Sequence, residues 1–113
     1  MIVHVVLFRP KGDLAAADRA SLVAAIERAH RDIPVVRRFV VGKRTFRGAR
    51  YADAMPEYPF IALIEVDDEP ALQQYLGHPA HAELARWFWQ TSDSALAYDF
   101  DMLDASASLN PGP

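Results

Sequence analysis

Apolar positions along this chain recur with two different periods, and the switches between them mark out the elements. Ile2 to Arg9 reads Ile-Val-His-Val-Val-Leu-Phe-Arg and stops before Pro10 and Gly12. Such a β-branched and aromatic run predicts a strand. Ile2, His4, Val6 and Phe8 share one side of it, and Val3, Val5 and Leu7 share the other. Both sides are apolar, so both should be covered. From Asp13 to Arg31 the period lengthens. Leu22, Val23, Ile26, Ala29 and Ile33 follow helical spacing, with Asp18, Arg19, Glu27, Arg28 and Arg31 opposite. This predicts an amphipathic helix that ends before Pro34.

Val35 to Gly42 returns to strand character, and Phe60 to Val66 forms a third strand. Between them, Arg47 to Pro59 holds Gly48, Pro56 and Pro59 without a period and reads as a long loop of the kind that covers sites. Asp67 and Asp68 can cap a short helix with Pro70 in its first turn, sending Leu72, Tyr75 and Leu76 to the core. Gly77 closes that helix and Pro79 opens another, whose apolar stripe is Leu84, Ala85, Phe88 and Trp89. Leu96, Tyr98, Phe100 and Met102 then alternate with Ala97, Asp99 and Asp101 as a fourth strand. The tail from Ala105 to Pro113 is small and polar and is expected to be flexible.

The order is β-α-β-β-α-β with the second helical segment broken at His78-Pro79. It predicts an α+β, ferredoxin-like domain with one four-stranded antiparallel sheet over residues 1–104. Helices cover one face of such a sheet. The bare face would be too apolar to leave in water, which predicts a homodimer packed sheet on sheet, the fourth strand included.

Composition narrows the function classes. With 113 residues, 51% apolar and 11% aromatic, the chain is long enough for one packed domain. The absence of cysteine removes disulfides, thiolate metal sites and cysteine nucleophiles, and fits a reducing, cytoplasmic setting. Ile2 to Phe8 lacks the basic start and the length of a signal peptide or membrane span, so no membrane partner is expected. Arg37, Arg38, Lys43, Arg44, Arg47 and Arg50 make a stretch with no acid. At a net charge of −3 that leaves −9 on the remainder, which would repel phosphate and argues against nucleic acid.

Candidate chemistry gathers on a few residues. His4 interrupts an apolar strand, while His30 falls near a helix end, as a surface residue would. Tyr75-Leu-Gly-His78-Pro-Ala-His81 places two histidines three apart at a helix start. The bland role for His78 is an N-cap, its ring meeting free backbone amides. His81 is the candidate general base in a cavity. Asp99, in an otherwise apolar strand, needs a partner if buried, and an imidazole N–H is a natural one. A His81–Asp99 pair would follow base-and-orienter logic. Glu65 poses the same question in the third strand. Two histidines without a third ligand make a weak metal motif, so neither a metal nor a cofactor is expected.

Ile2-Val-His4, Phe8, the Gln74-Tyr75-Leu-Gly-His78-Pro-Ala-His81 run and Tyr98-Asp99-Phe100 resemble the stress-responsive A/B barrel domain (Dabb) family over about residues 1 to 103. The resemblance implies a dimeric α+β barrel in which two open sheets close around interior cavities. In its plant olivetolic acid cyclase branch, which closes a polyketide by aldol condensation, the catalytic tyrosine matches Tyr75 and the catalytic histidine His81. The cavity histidine of the first strand matches His4, and the orienting aspartate Asp99. A further pocket histidine falls at Phe60, so it is missing here. The resulting expectation is a homodimer whose apolar cavity takes a small, largely apolar ligand. Catalytic candidates are His81, Tyr75 and Asp99, and ligand-binding candidates His4, Phe8 and Phe60. Proton-transfer or aldol-type chemistry would use His81 as base. Two readings stand beside it: a non-enzymatic, stress-associated structural protein, and a cofactor-free monooxygenase-like barrel enzyme.

Overall fold

The computed structural model describes residues 1–45 and 50–104. Four strands and three helices follow the expected order: β1 (Ile2–Pro10), α1 (Ala16–Asp32), β2 (Arg38–Lys43), β3 (Phe60–Val66), α2 (Glu69–Gly77), α3 (Pro79–Thr91) and β4 (Ser92–Asp101). A short 3-10 turn, Arg50–Ala54, interrupts the segment read as loop. The strands form one antiparallel sheet in the order β2-β3-β1-β4, a ferredoxin-like α+β fold. The Ala105 to Pro113 tail lies outside the described residues.

Period-two alternation decides which side chains meet the helices. On β1, Ile2, His4, Val6 and Phe8 are buried; on β3, so are Ala62, Ile64 and Val66. Leu22, Ala25 and Ala29 of α1 and Leu72, Tyr75 and Leu84 of α2 and α3 complete that core. Arg28 of α1 and Glu83 of α3 join the two long helices in a two-pronged ion pair. Val40, Leu96, Tyr98 and Phe100 on the opposite face are exposed large apolar groups.

Local chemistry sets the boundaries. β2 starts three residues later than its apolar run because Val36 N–H bonds back to Ile33 in a turn after Pro34. Pairing begins only when Arg37 N–H reaches Glu65. Helix α1 starts at Ala16, since Leu14 is held in a turn on Lys11, whose own N–H reaches Thr91. The caps of the later helices follow expectation. Ala71 N–H donates to the Asp68 carboxylate at 2.9 Å, and Ala80 N–H donates to His78 Nδ1 at 3.0 Å. β4 begins at Ser92, earlier than its alternation, because α3 ends directly into it. Two predicted core positions are exposed instead: Val23 on α1 and Trp89 on α3.

Three of the basic residues find acids in place, and Arg47 lies outside the described residues. Arg37 pairs with Asp67, Arg38 lies 3.8 Å from Glu65, and Arg44 pairs with Glu57. Glu65 thus finds its partner on the open face.

Candidate active site

Sheet register builds the site. His4 stands directly opposite Asp99 on the neighbouring strand, and both point to the helix face. His4 Nδ1 donates to Asp99 Oδ1 at 2.6 Å, a short, charge-assisted geometry. The expected partner of Asp99 was His81. The carboxylate goes to His4 instead, because cross-strand neighbours share a face and α3 holds His81 above it. The bond leaves His4 Nε2 as the ring nitrogen available to the interior.

Three rings converge there. Tyr75, 1% exposed on α2, lies with its ring 4.8 Å from His81 and 5.6 Å from His4. The His4 and His81 rings are 6.4 Å apart. They line a cavity of about 240 Å³ between sheet and helices. Val6, Ile64, Leu76, Leu84, Phe88 and Ala95 make its walls apolar. The cavity lies between the sheet and the helices of a single chain.

The surroundings separate the proton-binding behaviour of these groups. Burial lowers the proton affinity of His81, and the positive charge available to His4 lowers it further. The Leu76 carbonyl and Asp99 act weakly the other way. His81 is therefore a neutral imidazole at neutral pH. Burial, reinforced by the Asp99 charge, pushes the Tyr75 hydroxyl well above its ordinary range, so it remains an O–H donor.

Phe8 and Phe60 sit apart from this cavity. Phe8 is core, stacked at 5.6 Å on Phe60 and set edge-on to Phe88 at 4.9 Å. Phe60 lines a different groove, with Leu7, Tyr51, Tyr58 and Leu96. Sequence reasoning missed the lining roles of Ala95, Ala97 and Trp89. The signal lay in the alternation of β4, which puts Ala95 and Ala97 on the face of Asp99. Among the described residues, no group of three or more His, Asp or Glu side chains is arranged to hold a metal ion.

Comparison with known proteins places this geometry. A solved protein of Arabidopsis thaliana superposes with a TM-score of 0.77 at 22% identity, covering 93% of this chain and 98% of that one. A dimeric ferredoxin-like protein of unknown function from Jannaschia superposes at 0.72 with 21% identity, covering 89% and 98%. The hydroxynitrile lyase of Passiflora edulis does so at 0.76 with 14% identity, covering 92% and 94%. A comparison with curated proteins gives no match. At these identities the superpositions speak to fold. The family model for the stress responsive A/B barrel domain matches residues 2–102, and the chain belongs to that family, Dabb.

Proposed function

We propose that this protein is a homodimer, closed by its bare sheet faces, that binds a small, largely apolar carbonyl compound and moves a proton on it. The observation that carries the reading is the convergence of His4, Tyr75 and His81 on one apolar cavity, with Asp99 bonded to His4. A cavity with few, convergent polar groups is the usual form of a small-molecule site. Neutral His81 takes a proton alpha to the carbonyl. The C–H electrons form a carbon–carbon double bond as the carbonyl π pair moves onto oxygen, and Tyr75 donates a hydrogen bond to that developing oxyanion. The His4–Asp99 pair holds the ring wall in register. The same step opens aldol, cyclase-like and lyase-like outcomes, and the fold shared with a hydroxynitrile lyase supports that range. The dimeric neighbours support the assembly.

Hydrogen–deuterium exchange at the methyl carbon of acetophenone, followed by NMR, tests the reading. The protein should accelerate exchange, His81→Ala should abolish it, and Tyr75→Phe should slow it about 100-fold. If both variants exchange like the parent while losing only thermal stability, the polar cluster is structural and the non-enzymatic reading stands.

A further inference from the structure

We propose that the break between α2 and α3 is the device that orients the base: it bares the Leu76 carbonyl, that carbonyl holds the His81 ring in one tautomer, and His78 maintains the break. This rests on the reading of His81 as the base and adds the positioning group that reading lacks. Asp99, the acid expected to orient His81, is bonded to His4 instead.

The break follows from the backbone donors available around it. In an unbroken helix the carbonyls of Tyr75 and Leu76 would accept from the N–H groups of residues 79 and 80. Position 79 is a proline and has no N–H to give. His78, extended at φ −75° and ψ 142°, turns the chain, and its own N–H reaches the Tyr75 carbonyl at 3.2 Å. Ala80 N–H is diverted to His78 Nδ1 at 3.0 Å. The N–H groups of His81 and Ala82 both go to the His78 carbonyl, at 3.0 and 3.1 Å. Every backbone donor from His78 to Ala82 is thus committed, and none of them serves Leu76.

The His81 ring takes that place. It stands in the first turn of α3 and hydrogen-bonds the Leu76 carbonyl, and both residues line the cavity. A carbonyl only accepts, so the ring must give it an N–H. A neutral imidazole has one N–H, which leaves the other nitrogen with its lone pair for the substrate. The spacing of Tyr75-Leu-Gly-His78-Pro-Ala-His81 thereby acquires a physical reason. His78 and Pro79 withdraw the two backbone N–H groups that would compete at the break, and His81 falls where its ring can use the freed acceptor.

Side-chain NMR of the histidines in the isotope-labelled full chain, at alkaline pH, tests this. In the parent, His81 should show one protonated and one bare ring nitrogen, the pattern of a single tautomer. His78→Ala frees Ala80 N–H to compete for the Leu76 carbonyl. His81 should then become a mixture of tautomers, and exchange at the acetophenone methyl should slow about tenfold. His78→Asn, which retains a capping acceptor, should keep the single tautomer and exchange within about twofold of the parent. Asp68→Ala removes the corresponding cap of α2 and controls for stability. It should lower the melting temperature about as much as His78→Ala and leave both tautomer and exchange unchanged. Should His78→Ala fail to fold, Pro79→Ala replaces it, since it restores a backbone N–H at the break and should loosen the ring in the same direction. Averaged His81 nitrogens in the parent overturn the proposal. So does a His78→Ala protein with an unchanged tautomer, or an Asp68→Ala protein that shifts as far as His78→Ala. The tautomer is read without turnover. If the parent does not exchange acetophenone, yet His81 is held and His78→Ala releases it, the base reading falls and the orientation of the ring stands.

Discussion

The two faces of the sheet are built from similar residues and have opposite fates. On the helix side, Phe8, Ile64 and Val66 are sealed under α1, α2 and α3, and His4 and Asp99 bring a bonded polar pair to that face. On the other side, Val40, Leu96, Tyr98 and Phe100 stand in solvent, and Arg38 lies 3.8 Å from Glu65. The covered face can hold a histidine and an aspartate because register brings them together and satisfies both. The open face is suited to a second apolar surface. On the proposed function, chemistry and assembly fall on opposite sides of one sheet, and perturbing one should leave the other intact.

The largest effect should come from breaking the open face. Tyr98→Asp places an unpaired charge in a two-fold interface twice, which should cost association about 6 kcal/mol. Sedimentation should then show the 12.6 kDa monomer in place of a dimer of twice that mass, with unchanged circular dichroism. A parent protein that already sediments as a stable monomer would remove the assembly from the comparison.

Next in size, Ile64→Ala on the covered face should cost about 3 kcal/mol in urea unfolding, since Ile64 is fully buried. Leu63→Ala, one residue away and facing outward, should cost about 1 kcal/mol in a monomeric background. Equal costs would mean that the two faces are not distinguished by burial in solution.

Smaller again, Asp99→Ala should destabilise by about 1–2 kcal/mol by leaving His4 Nδ1 without its acceptor. Asp99→Asn retains an acceptor oxygen and should lose less. A cost no greater than that of Asp93→Ala, on an exposed position of the same strand, would place the His4–Asp99 bond outside the folded state.

The smallest effect is on pH dependence. His81 binds a proton less readily in the folded chain than in the unfolded one, whose value is near 6.5. Above that value both states are neutral and the group contributes nothing. As pH falls below it the unfolded chain gains protons first, so stability declines. His81→Asn should flatten that decline, and an identical pH profile in the variant would contradict the burial of this ring.

Much of this was legible along the chain because it depends on neighbours in sequence. The alternation of Phe60 to Val66, the Asp68 and His78 caps, and the prolines in the first helical turns, Pro70 and Pro79, are local rules, and the structure follows them. The late start of β2 was not, because a turn at Ile33 competes with strand propensity at Val35 and Val36. The site divided in the same way. Tyr75 and His81 stood out by spacing and resemblance, but the partner of Asp99 depends on which strands are adjacent, and that placed His4 opposite it.

By itself, then, the sequence determined the elements, their order, the apolar character of both sheet faces and the residue types available for proton transfer. These follow from backbone preference and from the fixed periods of strand and helix. Only the tertiary structure decided that Asp99 serves His4, that the cavity lies under the helices, and that Trp89 of α3 is exposed. Each of those depends on strand register and on how the helices pack over the sheet. Contacts set across 95 residues of chain, as between His4 and Asp99, leave no local periodicity to read.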